Sequence, residues 1–98
     1  MSSAIKRLIL DVLKSHNPSI VTVSQRLSVL KGVSGVNCTL EEVDQDTESI
    51  KITIEGDNIN FKSVEKIIKA CGGAIHSIDG VSTGAKLVEE VNTPQDKN

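Results

Sequence analysis

Two alternations of apolar and polar residues stand at the middle of this chain. Val36, Cys38 and Leu40 alternate with Asn37, Thr39 and Glu41; after a polar turn, Ile50, Ile52 and Ile54 alternate with Lys51, Thr53 and Glu55. A period of two marks a strand with one wet face. The two runs therefore predict a β-hairpin. It is entered from a helix: Leu30 closes a helical pattern, and Gly32 supplies the positive φ that a helix end commonly needs.

The same reading extends in both directions. Leu8, Leu10 and Val12 fall on one face of a first strand, and Ile9, Asp11 and Leu13 on the other. Ser15 to Ser19 is a connector, and Pro18 disfavours a helical Asn17, so the first helix begins after it. Ser19 is its N-cap, and Ile20, Val23, Leu27 and Leu30 make one apolar stripe that Val29 widens. Beyond the hairpin, Gly56-Asp57-Asn58 marks a loop and Asn60 an N-cap. Ile59 and Val64 sit at the two positions of a hydrophobic staple. Phe61, Val64, Ile67 or Ile68, and Cys71 form the second helix's stripe, which Gly72-Gly73 ends. Ala74 to Ile78 reads as a strand, Asp79-Gly80 as a tight turn, and Val81 to Val91 as further extended chain kinked at Gly84.

The order is βαββαβ. Two βαβ halves around a hairpin predict an α+β, ferredoxin-like sandwich, with both helices on one face of an antiparallel sheet. Strands 1 and 3 are expected at the centre and strands 2 and 4 at the edges. Residues 1–91 are expected to form one domain with an extra C-terminal extended segment, and residues 92–98 a frayed polar tail.

Composition narrows the function. Of 98 residues 38% are hydrophobic and Phe61 alone is aromatic, so the core rests on Ile, Val and Leu. A formal net charge of −2 offers no global field for nucleic acid, and no apolar run is long enough to span a bilayer. The apolar run after Lys6 and Arg7 is broken by Asp11, which argues against a secretion signal and for a cytoplasmic protein. Cys38 and Cys71 are then reduced, and both fall on apolar stripes where free cysteine packs as a small hydrophobe.

Candidate chemistry lies in three places. Strand 4 should lie beside strand 1, so Asp11 and His76 could meet on the open face and bind a ligand or a metal. His16 stands in the connector before helix 1, where binding groups are often carried. Asp44, Asp46 and Glu48 alternate across the hairpin tip, and clustered carboxylates suit a divalent cation such as calcium; the glycine and distal glutamate of an EF-hand loop are missing, so any such site is weak. No nucleophile elbow, P-loop or dinucleotide fingerprint occurs.

The segment Leu27 to Leu40 resembles the same place in heavy-metal-associated and ACT-type regulatory domains, both βαββαβ; the loop Lys14 to Pro18 lacks the CxxC of the metal chaperones. A fuller resemblance spans nearly the whole chain. Leu10-Asp11-Val12-Leu13-Lys14 with His16 and Pro18, Gly32-Val33 with Gly35-Val36-Asn37, Gly72-Gly73 with Ile75-His76-Ser77, and Val88-Glu89-Glu90-Val91 with Thr93-Pro94-Gln95-Asp96 resemble the archaeal family of domain of unknown function 211. That resemblance implies a ferredoxin-like fold and self-assembly, and brings no reaction or substrate. The expectation is a non-enzymatic, self-associating protein, a homo-oligomer and possible ring-former, that binds a small ligand or ion in a regulatory role. A metal-binding protein or metal-dependent enzyme using Asp11 and His76 is the alternative.

Overall fold

A computed structural model describes residues 2–91. The chain runs β1 (Ile5–Ser15), α1 (Ile20–Ser28), β2 (Val33–Val43), β3 (Thr47–Gly56), α2 (Phe61–Ala70) and β4 (Gly73–Thr83). The strands form one antiparallel sheet in the order β2-β3-β1-β4. This is the expected ferredoxin-like arrangement, with β1 and β3 central.

The register explains the core. Leu8, Leu10 and Val12 of β1 stand opposite Ile54, Ile52 and Ile50 of β3, and all six are buried. Val23 and Leu27 of α1, and Val64, Ile68 and Cys71 at α2, pack onto this sheet face. The two predicted caps form: Ser19 Oγ accepts from Thr22 N–H and Asn60 Oδ1 from Ser63 N–H. Ile59 and Val64 are both buried, as a staple requires.

One junction depends on the absence of side chains. Gly32 has φ +89°, and its carbonyl accepts from Asp57 N–H at 2.7 Å. A Cβ on Gly56 would run into that same carbonyl. The exit of α1 and the end of β3 can approach this closely only with glycine at both places.

Three expectations need correction. Val29 does not widen the α1 stripe: the helix ends at Ser28, and Val29 is 83% exposed at the C-cap. Leu40 lies on an edge strand and is largely exposed. Asp79-Gly80 is not a turn. β4 continues to Thr83, and the register with β1 steps from Ile9–Gly80 to Leu10–Ile78, leaving Asp79 as the extra residue of a bulge. A second bulge leaves His76 as the extra residue between Ile75–Val12 and Ser77–Asp11.

After β4, residues 84–91 fold back without joining the sheet. Gly84 N–H donates to the Ala4 carbonyl at 2.8 Å, and Val88 N–H to Ser82 Oγ at 3.1 Å. Glu89 reaches Arg7 at 2.6 Å. This strap and the ends of β1 and β4 enclose a cleft of about 580 Å³ lined by Arg7, Ile9, Ser82, Val88 and Glu89 among others. The expected tail at 92–98 lies outside the described residues.

The uncovered sheet face is mainly polar. Arg7, Ile9, Asp11 and Leu13 of β1 stand opposite Glu55, Thr53, Lys51 and Ser49 of β3, so only Ile9 and Leu13 in that double row are apolar.

Candidate functional site

The core-facing alternation of β1 does not stop at Val12. Lys14 continues it and is only 2% exposed. An ammonium taken out of water needs an opposite charge and acceptors for its protons. The register supplies the charge, because Lys14 stands opposite Glu48. Its Nζ donates to Glu48 Oε2 at 3.1 Å and to the His16 carbonyl at 3.4 Å.

His16 completes the cluster from the other side. The chain leaves β1 at Ser15, and the ring returns over the hairpin tip. Nδ1 lies 3.0 Å from Glu48 Oε1 and Nε2 lies 3.0 Å from the Gln45 carbonyl oxygen. The tip itself is closed by Asp44 N–H donating to the Thr47 carbonyl at 2.8 Å. Both oxygens of Glu48 are thus engaged, one by each neighbour.

The electrostatics follow from these contacts. The His16 ring, then Lys14, holds the Glu48 carboxyl below its ordinary range. Glu48, then the Gln45 carbonyl, raises the His16 pKa above its ordinary 6.5. Nearby, burial pushes the Cys38 thiol up to about 11, so it remains protonated and unreactive at neutral pH. Cys71 is fully buried, and both cysteines are free thiols. The cluster holds a charge and ties three pieces of chain together.

The DUF211 family model, described as an uncharacterized ArCR, matches residues 6–97. The chain belongs to DUF211. The uncharacterized protein MJ0319 of Methanocaldococcus jannaschii is 47% identical to it over 96 residues, covering 98% of this chain and 99% of that protein.

Of the site residues expected in this DUF211 chain, the structure brings His16 and Glu48 together. Asp11 and His76 are placed otherwise. Asp11 stands opposite Lys51 on one side and Ser77 on the other, and His76 is an exposed bulge residue. No hydrogen bond or ion pair joins the two among the described residues. The open face instead carries Asp79, which accepts from Ser77 Oγ–H at 2.7 Å and lies 3.5 Å from Lys51 Nζ. Ser77 foremost, with Lys51 and His76, lowers the Asp79 pKa from its ordinary 3.8. Asp44 and Asp46 are exposed at the tip, away from the buried side of Glu48. Among the described residues no three His, Cys, Asp or Glu side chains group closely enough to hold a metal ion. No helix there is long and apolar enough to cross a membrane.

Lys14 belongs to no chemical motif, yet it completes the cluster. Its signal was present: Leu8, Leu10, Val12 and Lys14 share one period-two face, as do Glu48, Ile50, Ile52 and Ile54. A charge at the end of each buried row is a pair waiting for its register.

Proposed function

We propose that this DUF211 chain is a non-enzymatic, self-associating module that joins copies of itself through its sheet edges and binds a small ligand in a regulatory role. The observation that carries the reading is the outer edge of β4. Ile78 and Val81 are 53% and 59% exposed there, and the neighbouring strap adds exposed Val88 and Val91. Solitary proteins usually guard long edges with lysine or proline. β2 and β4 are 11 residues each, and neither contains either residue. β2 also presents Leu40 and Val43 to solvent. Two free edges with exposed apolar side chains, on opposite sides of one sheet, favour head-to-tail pairing of β4 with β2 of a second copy, which forms a ring when the rotation closes.

Binding rather than catalysis is favoured because the clustered titratable groups His16 and Glu48 are spent on each other and on Lys14, and Arg7 and Glu89 likewise on each other. The cleft under the strap is the place offered to a small ligand, and Asp79, Glu89 and Glu90 in its lining suit a cationic one. Native mass spectrometry and light scattering at on the order of 50 µM test the reading. A mass several times 10.5 kDa is expected. Ile78→Lys with Val81→Lys should reduce it to the monomer. A monomeric wild-type protein at that concentration overturns the proposal.

A further inference from the structure

The His16 ring sits between two groups that can only accept. Glu48 Oε1 lies 3.0 Å from Nδ1, and the Gln45 carbonyl oxygen lies 3.0 Å from Nε2. Neutral imidazole has one N–H, and its other nitrogen is an acceptor. In the neutral ring, one nitrogen lone pair would therefore face an oxygen at hydrogen-bond distance. Only imidazolium, which donates from both nitrogens, satisfies both contacts.

The two acceptors belong to the same structure. Gln45 is on the hairpin tip and Glu48 is on β3 just after it, whereas His16 follows β1. The ring is thus the side-chain tie between the exposed tip and the end of the central strand. We infer that His16 is a proton-operated latch, holding the Asp44–Asp46 turn against the end of β1 when charged and releasing it when neutral.

The surroundings favour the charged form of the ring. The ionisable groups around the ring are Glu48 from β3, Lys14 from β1 and Asp44 on the tip, the last through a backbone hydrogen bond. Glu48 is the direct partner, and it keeps one oxygen for Lys14, so release of the ring does not strand the buried lysine. The core beneath therefore stays paired while the tip moves. A ring favoured in its charged form by the fold contributes its stabilisation fully below the ordinary pKa of 6.5 and loses it as pH rises through the higher folded value. The latch is closed on the acidic side and opens on the alkaline side.

The test is an NMR titration of the full chain from about pH 6 to 9, a range set by the histidine reference value, in the presence of EDTA. The His16 ring protons should titrate with a midpoint above 6.5, and the Gln45 and Thr47 amide shifts should move with that same midpoint. His16→Gln retains the Lys14–Glu48 pair, and in it the tip amides should lose this transition. A His16 midpoint at or below 6.5, tip amides that ignore the ring, or a tip transition that persists in His16→Gln would each overturn the latch.

Discussion

Lys14 and Glu48 form a buried ion pair at 3.1 Å, with Lys14 occupying the position on β1 where a fourth apolar residue would otherwise close the core. Such a pair is costly to break from one side, because the surviving charge is left in low dielectric. Glu48→Gln should therefore destabilise the protein by about 3–5 kcal/mol in a urea titration. Lys14→Met should cost less, since Glu48 retains its His16 contact and the methionine fills the apolar end of the row. Combining the two should recover much of the loss of Glu48→Gln. Strict additivity in that cycle would mean the two residues do not interact.

The register makes a second comparison sharp. Ile52 faces Leu10 inside the core, and Thr53 faces Ile9 on the opposite side of the sheet. Ile52→Ala should cost roughly 2–5 kcal/mol, the usual range for a buried isoleucine. Thr53→Ala should cost far less. Equal midpoints for the two variants would contradict the register.

Gly56 is a separate test of the α1–β3 junction. A methyl group there meets the Gly32 carbonyl, which belongs to backbone and cannot swing aside. Gly56→Ala should lower stability by about 1–3 kcal/mol, the range for overpacking. Gly35→Ala is the control, since a Cβ there meets nothing within 4 Å. Thermal melts that rank the two in the opposite order would refute the junction as described.

The strap is held by exposed polar contacts, so its attachment should be separable from global stability. Arg7 binds Glu55 and Glu89 together, which raises its own pKa and lowers that of Glu89. Glu89→Gln should speed limited proteolysis within residues 85–91 and leave the unfolding midpoint unchanged. A shift of the whole unfolding curve would make the strap part of the cooperative core.

Acid should act through carboxylates. Glu48 and Glu89 are held below 4.5, and Asp79 below 3.8, by hydrogen bonds and neighbouring cations. Their contributions are complete above the ordinary carboxylate range and disappear as pH falls through the lowered folded values. Thermal stability should therefore fall below about pH 4 through these carboxylates, separately from the loss of the His16 contribution on the alkaline side. Asp79→Asn should flatten part of that fall. An unchanged profile in this variant would remove Asp79 from the account.

The fold was legible because β3 and β1 repeat a strict period of two and both helices carry caps at the expected places. The registration of Leu10 against Ile52 then sets Val12 against Ile50 and Lys14 against Glu48 without further choice. Local sequence could not show that step, because it does not state which residues face each other across strands. The end of β4 departs from its local turn chemistry for a related reason. Asp79-Gly80 has turn chemistry, yet β1 offers a long partner that carries the strand on to Thr83, and the strand absorbs Asp79 as a bulge. Pairing with a partner overrode the local preference. His16 stood out as a loop histidine, but its two acceptors come from the hairpin tip and β3, which only the folded chain brings to it.

The placing of β1 between β3 and β4 also sets the order of events at the ribosome. The first strand to emerge is the one whose two edges are satisfied last: Arg7 waits for Glu55, and Leu8 for Val81. Until the final strand has left the exit tunnel, Leu8, Leu10 and Val12 lie on a strand with one edge unpaired, in a sheet that is not yet complete. Such long closures slow folding and prolong exposure of a sticky segment. A nascent chain halted before β4 should therefore recruit chaperones through its N-terminal strand, and be released from them only when residues 73–83 become available.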